Sequence, residues 1–252
     1  MFEVLLLSLI QGITEFLPIS SSSHLIIVSD YIKFENQNLS IDVSLHIGSF
    51  IAVITYFYKD ILNFIENKYL FLKILISSLP VMIVGFVLIQ TNMIDKLRSI
   101  EIIGWTTLLF GIFLYFSDRF KLKNNIEDNF SFKSAIFIGF FQVLSLIPGV
   151  SRSGISISSA RILNFKRFDA AKISFLLSIP TLGAVSIFGV KNLIYSEDLN
   201  FSLLNLLSIF LSFVFSFITI KYFLKYVKNF SLNIFVTYRI VLGLILLSVA
   251  YL

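Results

Sequence analysis

Eight apolar segments account for most of this chain, at roughly 2–27, 41–58, 70–90, 100–117, 134–162, 172–190, 202–220 and 233–252. Six are uninterrupted, and at about 17 to 21 residues each can cross a bilayer as a helix. A backbone in hydrocarbon must satisfy its N–H and C=O groups internally, which restricts spanning segments to helices and closed barrels. Segments of this length select helices. The composition agrees: 57% of residues are hydrophobic and 14% charged, with a mean hydropathy of +0.90, whereas about a quarter of a soluble domain is charged. The expected fold is an all-α polytopic membrane protein forming a single integral membrane domain over 1–252.

The remaining two segments are broken in the middle. The first reads Gln11-Gly12-Ile13-Thr14-Glu15-Phe16-Leu17-Pro18-Ile19-Ser20-Ser21-Ser22-Ser23-His24, and the second carries Pro148-Gly149-Val150-Ser151-Arg152-Ser153-Gly154. Irregular backbone at membrane depth is tolerated only where protein or a water-filled cavity lines it. An ionisable residue there is costly and marks a functional site with a nearby partner. Glu15 and Arg152 are therefore expected to meet, the alternative to a functional pairing being a structural ion pair between the two halves.

The breaks match each other. Gln11 to Ser20 and Gln142 to Ser151 each span nine residues, at an offset of 131, and Gly48 to Val53 parallels Pro180 to Val185 at 132. This reads as a duplication, with repeat one at about 1–125 and repeat two at about 130–252. If both broken segments turn back as re-entrant helix pairs, the loops on one side (59–69, 118–133, 161–172 and 221–232) hold 13 Lys/Arg and those on the other (28–40, 91–99 and 191–200) hold 4. If all eight segments cross, the split is 10 to 7. The positive-inside rule selects the first arrangement and puts both termini outside the cytoplasm. Three crossings per repeat invert the second repeat relative to the first, an architecture that commonly builds one site between two broken helices.

After each proline the chain offers serines and then resumes an apolar helix, so Ser20, Ser21 and Ser22, and Ser151 and Ser153, lie at or next to N-cap positions. Helix N-termini favour anions, and a guanidinium offers a bidentate fork to phosphate oxygens. Two such termini with Arg152 predict a phosphate or diphosphate ligand. Glu15 shares a helix face with Gln11, and His24 follows Ser21 by about one turn. Carboxylate, imidazole and hydroxyl beside an anion suit general acid/base chemistry with a serine or water nucleophile. The serines could instead bond backbone carbonyls or pack helices. His46 reads as a packing or supporting residue, and Arg239, near the start of the last helix, as one that snorkels to the interface.

Other classes are excluded. The formal charge of +5 comes from basic residues in short loops, the pattern of topology determinants, so no nucleic-acid site is expected. The chain has no cysteine, hence no disulfide or thiolate chemistry. No HExxH, P-loop or GxGxxG motif occurs. Met1-Phe2-Glu3 lacks the basic region of a signal peptide, so the N-terminus is expected to be retained.

Gln11 to Leu25, Pro148 to Gly154 and Phe175-Leu176-Leu177-Ser178-Ile179-Pro180 together resemble the undecaprenyl-diphosphatase family of the BacA type, over essentially the whole chain. The resemblance implies hydrolysis of undecaprenyl diphosphate to undecaprenyl phosphate and inorganic phosphate in the bacterial plasma membrane. That reaction recycles the carrier lipid for cell-wall synthesis and confers bacitracin resistance. It also implies an inverted-repeat bundle of six transmembrane helices and two re-entrant helix pairs. Glu15, Ser21, His24 and Arg152 take the catalytic positions. Gln11, Ser20, Ser22, Ser151, Ser153, Gly154 and Ser156 take substrate-binding ones. Glu15 either orients His24 or helps hold a divalent cation, Mg²⁺ or Ca²⁺, which prefer oxygen ligands. The partners implied are a polyprenyl diphosphate lipid and the bilayer, with a homodimer left open. Two positions depart from the family pattern: Gln11 stands where some members have glutamate, and Ser23 replaces the usual glycine before the histidine, where a left-handed backbone would be less comfortable. The rival reading is a transporter or flippase for an anionic lipid or oxyanion, which needs the anion clamp but no nucleophile and base.

Overall fold

The computed structural model describes residues 1–32, 39–91, 93, 97–195 and 203–252. It is all-α, with no strand among the described residues. The first broken segment forms α1 (Phe2–Thr14) and α2 (Ser21–Ile32); α3 (Leu39–Tyr56), the short α4 (Tyr58–Glu66), α5 (Lys68–Gln90) and α6 (Ile100–Asp118) follow. A one-turn helix, α7 (Ile126–Asn129), leads to the second broken segment, which forms α8 (Phe132–Val143), a 3-10 turn at Leu144–Leu146 and α9 (Arg152–Ile162). The chain ends in α10 (Arg167–Tyr195), α11 (Leu203–Asn229) and α12 (Asn233–Tyr251). Six of these, α3, α5, α6, α10, α11 and α12, are long and apolar enough to cross a membrane. They coincide with the six uninterrupted segments of the sequence, and the chain is a polytopic membrane protein.

The helices differ from the apolar runs mainly at their ends. α11 extends to Asn229, well past the end of its apolar stretch near 220. Lys221, Lys225 and Lys228 are good helix formers whose long stems cover apolar surface while their charges reach water, so the helix continues where the hydrophobic pattern stops. Of the loops that carry the charge count, 33–38 in 28–40, 92 and 94–96 in 91–99, and 196–200 in 191–200 lie outside the described residues.

α1 packs on α11 and α8 packs on α5, while α3 lies against α10 and α6 against α12. The α3–α11 seam shows how these contacts form. Gly48 brings the α3 backbone close enough to Ile209 that a β-carbon would meet its carbonyl oxygen. Ser49 Oγ lies 3.2 Å from Ser212 Oγ and 3.0 Å from Ser216 Oγ, and Ser212 donates to the Leu45 carbonyl at 2.7 Å. Small residues and short hydroxyl bonds are the usual seam between helices in lipid, where burying apolar surface against a neighbour gains little over lipid tails.

The apolar centre is aromatic. Phe175 of α10 meets Phe16 edge-on at 5.3 Å between ring centroids, with Phe57 at 6.3 Å and Phe223 at 5.8 Å. Phe16 is fully buried and follows Glu15 directly. The first break is thereby anchored on the core, which fixes where the carboxylate of its neighbour can point.

Candidate active site

Each break begins its second helix from a serine in the left-handed region, Ser20 at φ 76° and Ser151 at φ 72°. Such values are uncommon outside glycine and persist only where surroundings enforce them. Ser151 caps α9, its Oγ accepting from the backbone N–H of Gly154 at 3.1 Å. Ser20 Oγ lies 2.9 Å from Ser23 Oγ and 3.3 Å from Ser22 Oγ. The left-handed residue is thus Ser20. Ser23, the position expected to be strained, is a fully buried residue inside α2, so the missing glycine there costs no backbone strain. In the second break Gly149 has φ 94°, and a β-carbon on it would collide with the Thr106 hydroxyl, which donates to the Pro148 carbonyl at 2.6 Å.

The two breaks meet. Arg152 Nη2 donates to Glu15 Oε1 at 3.1 Å, and Arg152 Nη1 to the Ser174 carbonyl at 3.2 Å. Ser153 Oγ donates to the Leu17 carbonyl at 2.6 Å. Glu15 is also the acceptor for Ser21 Oγ, at 2.7 Å on Oε2, and for Gln11 Nε2 at 3.2 Å. The same Gln11 Nε2 lies 3.2 Å from Nδ1 of His46 on α3. One carboxylate therefore collects a serine hydroxyl, a guanidinium and an amide, so it is held as an acceptor and oriented from three directions.

These groups surround a cavity of about 200 Å³ lined by Thr14, Glu15, Ser20, Ser21, Ser22, His46, Ser145, Ser151, Arg152 and Thr181, with Val81, Leu146, Leu182 and Val185 completing it. Val185 is exposed on the outer face of α10. The polar base thus continues along an apolar wall toward the lipid side of the helix bundle. Two buried polar atoms at the site, Arg152 Nε and Gln11 Oε1, find no partner among the described residues. A buried unpaired donor or acceptor costs about 1 to 3 kcal/mol, so both are free to serve a ligand.

Of the residues expected at the site, Glu15, Ser20, Ser21, Ser22, Ser151 and Arg152 line the cavity, and Gln11 supports Glu15. The others lie elsewhere. His24 is not among the lining residues; its Nδ1 lies 2.6 Å from the Ser20 carbonyl and its Nε2 2.5 Å from the Tyr238 hydroxyl, with the two rings stacked. The turn between Ser21 and His24 places them on α2 with different partners. Ser153 and Gly154 are buried between the breaks, and Ser156, fully buried, donates to Gln142 Oε1 at 3.4 Å.

Arg239 is the residue whose placement departs most from the expectation. It does not snorkel: it is 1% exposed, and its guanidinium donates to the carbonyls of Gly149 at 2.7 Å, Val150 at 3.0 Å, Thr107 at 3.3 Å and Pro18 at 3.4 Å. Pro18 and Gly149 are equivalent positions of the two breaks, again 131 apart. The sequence signal is divided: Arg239 lies within an apolar segment, where the cost of charge at membrane depth that marks Glu15 applies, yet close enough to the start of the helix for a long side chain to reach water.

The bacitracin resistance protein BacA family model matches residues 4–245. The chain is 48% identical to the undecaprenyl-diphosphatase of Pelagibacter ubique (strain HTCC1062) over 251 residues, covering 99% of this chain and 97% of that protein. It is 39% identical to the undecaprenyl-diphosphatase of Jannaschia sp. (strain CCS1) and 38% to that of Roseobacter denitrificans (strain ATCC 33942 / OCh 114), each over 100% of this chain and 99% of the relative.

Replacing Arg239 with Met should leave the carbonyls of both breaks without donors. At about 1.5 to 3 kcal/mol for each hydrogen bond to a charged group, the expected result is a large drop in the thermal unfolding midpoint of detergent-purified protein. An unchanged midpoint would remove Arg239 from the role of fastening the breaks. On its sequence and its architecture, the chain belongs to the BacA family of membrane proteins.

Proposed function

We propose that the chain hydrolyses undecaprenyl diphosphate to undecaprenyl phosphate and inorganic phosphate, recycling the carrier lipid for cell-wall synthesis in the bacterial plasma membrane and lowering sensitivity to bacitracin. The observation that carries this reading is the Ser21–Glu15–Arg152 chain of hydrogen bonds inside a cavity with a polar base and an apolar wall. A polyprenyl diphosphate has the matching shape, an anionic head on an apolar tail. A transporter would use the anion clamp but would give the Ser21–Glu15 contact no task.

In the mechanism, the terminal phosphate rests against Arg152, whose unpartnered Nε supplies a donor beyond those already used on Glu15 and Ser174. Ser21 Oγ attacks the terminal phosphorus, the bond from that phosphorus to the bridging oxygen breaks, and undecaprenyl phosphate leaves. The Ser21 proton passes to Glu15 Oε2, 2.7 Å away. Water then attacks the phosphoserine phosphorus, the bond from that phosphorus to Ser21 Oγ breaks, Glu15 returns its proton to Oγ, and inorganic phosphate leaves carrying the water's oxygen and hydrogens. Arg152 stabilises the charge on the transferring group, which is the dominant contribution a protein makes to phosphoryl transfer. In this reading Glu15 takes the proton, and His24 Nδ1, 2.6 Å from the Ser20 carbonyl, supports the start of α2.

A divalent cation, Mg²⁺ or Ca²⁺, fits in part. Among the described residues no three acidic or histidine side chains converge, but Glu15, the unpartnered Gln11 Oε1 and the serine hydroxyls are oxygen donors of the kind such ions take. When bound, the ion would neutralise diphosphate charge, with most of its shell drawn from the substrate and water.

The same reading extends to the membrane. Two repeats, about 1–125 and 130–252, are supported by the matched left-handed serines and by the exchanged packing of α1 on α11 and α8 on α5. The pairs α1–α2 and α8–α9 are re-entrant in this reading, and the charge split puts both termini outside the cytoplasm. Cysteines introduced at 125 and 229 should resist an impermeant thiol reagent applied to the outer face, and labelling of either would overturn the orientation.

Purified protein should release phosphate from undecaprenyl diphosphate, and failure to do so would sink the proposal. A chelator arm decides the metal: undiminished release under chelation removes the cation. Arg152→Ala should lower turnover at least about 100-fold, because one charged clamp on a transferring phosphoryl group is worth several kcal/mol in a water-poor site. Arg152→Lys should rescue poorly, since a point charge cannot reproduce the planar fork.

For the nucleophile, Ser21→Ala should abolish hydrolysis, and wild-type enzyme quenched during turnover should carry phosphate on Ser21. If Ser21→Ala retains activity, with a loss no larger than a hydrogen bond of about 1 to 3 kcal/mol explains, water is the attacking group instead.

A further inference from the structure

A second cavity, of about 580 Å³, opens where α6 ends, α10 begins and α11 turns into α12. Asp118, Arg119, Lys121, Lys123, Arg167 and Asn233 are among its lining residues. Four cations thus face one carboxylate, and that carboxylate is already committed. Asp118 Oδ1 accepts from Arg167 Nε at 2.7 Å and from Arg161 Nε at 3.3 Å, and Oδ2 accepts from the backbone N–H of Leu232 at 3.1 Å. Arg167 keeps its two terminal amino groups. Arg119 lies over the Tyr115 ring, 4.3 Å from its centroid, and donates to the Tyr115 hydroxyl, while Lys121 and Lys123 form no ion pair among the described residues.

The backbone that carries these cations is fixed from behind. Arg161 is fully buried and donates to the carbonyls of Asp118, Phe120, Lys121 and Phe165. The N–H groups of Lys123 and Asn124 both donate to the Asn164 carbonyl, at 3.0 and 2.9 Å, and Lys166 donates back to the Asn124 carbonyl at 2.9 Å. Asn164 takes the left-handed φ of 62° that this clasp requires. Topology needs only positive charge somewhere in a loop. It does not need a buried guanidinium organising the loop backbone around a cavity. Pre-ordered cations with unspent donors are what binds a phosphate group, and basic pockets between helix ends are where anionic headgroups bind membrane proteins.

We propose that this cavity is a second phosphate-binding site, distinct from the candidate active site, that takes either the headgroup of an anionic phospholipid or free phosphate. The two sites are joined by α9, which starts at Arg152 in the first and reaches Arg161 behind the second, roughly 14 Å away at about 1.5 Å per residue. The proposal does not depend on the reaction assigned to the first site.

Detergent-purified protein is titrated calorimetrically with inorganic phosphate, and in a second arm with short-chain phosphatidylglycerol. The double variant Lys121→Gln/Lys123→Gln, on two side chains outside the active-site machinery, is treated identically, with its phosphatase activity and unfolding midpoint as the check that it folds. Wild type should show a class of phosphate sites whose affinity falls about tenfold or more in the double variant. Competition by phosphatidylglycerol at that class identifies a lipid headgroup, and binding of inorganic phosphate alone identifies the free ion. An isotherm unchanged by the double variant overturns the proposal. Should the variant fail to fold, wild-type protein decides: phosphate should slow acetylation of Lys121 and Lys123 relative to the exposed Lys225, and equal rates with and without phosphate overturn it.

Discussion

The buried guanidinium of Arg239 is the constraint on which the site depends. A charge removed from water without a counter-ion is expensive, and no carboxylate among the described residues pairs with it. Four backbone carbonyls take that place, and two of them belong to equivalent points of the two breaks, Pro18 and Gly149. The exchange is mutual. Non-helical backbone inside a membrane protein leaves carbonyls that lipid cannot satisfy, and Arg239 is a charge that needs acceptors. Each makes the other tolerable, and together they hold the two breaks at one distance.

Once the breaks are held, the remaining geometry follows locally. Ser20 and Ser151 take left-handed backbone and redirect the chain into α2 and α9. Phe16, wedged against Phe175, fixes the rotation of the first break, so Glu15 points across to Arg152. Arg152 leads α9, a helix pinned at its far end by Arg161 and at its start by the Ser151 cap and the Ser153–Leu17 bond. A guanidinium mounted on a helix fixed at both ends is held in place, which is the condition under which the proposed electrostatic stabilisation would act without reorganisation.

The large-scale fold is legible in the sequence because lipid imposes a simple rule, length and apolarity, on every spanning segment. All six long helices coincide with uninterrupted apolar runs, and the Glu15–Arg152 contact follows from the cost of isolated charge. What the sequence hides is direction. Ser21 and His24 are near neighbours on a helix, yet Ser21 turns to Glu15 while His24 turns to Tyr238, a residue 214 positions away in the chain. Ser156 looks like a ligand residue from its place after Arg152, but one face of α9 packs inward against Gln142 of α8. Helical spacing shows which residues share a face and leaves open what that face meets. Arg239 escapes for a different reason: long basic side chains near helix ends usually reach water, and only the three-dimensional arrangement reveals a ring of carbonyls closer at hand.

The balance of charge at the centre also bears on why an anion would enter. Arg152 and Arg239 contribute two positive charges to the interior, and Glu15 contributes one negative charge, already neutralised by Arg152. The excess sits behind the loops, on Arg239, whose guanidinium the carbonyls screen but do not neutralise and which lies beside the N-terminus of α9; a β-carbon on Gly154 would lie only 2.8 Å from Arg239 Nη1. The dipole of α9 adds to it in the same direction. In the proposed reaction an entering diphosphate would meet a net positive charge at the breaks, although the nearest side chains form a closed ion pair. In the proposed reaction that arrangement would separate two tasks that a single exposed arginine would have to combine: attraction of the anion from a distance, and its alignment beside Ser21.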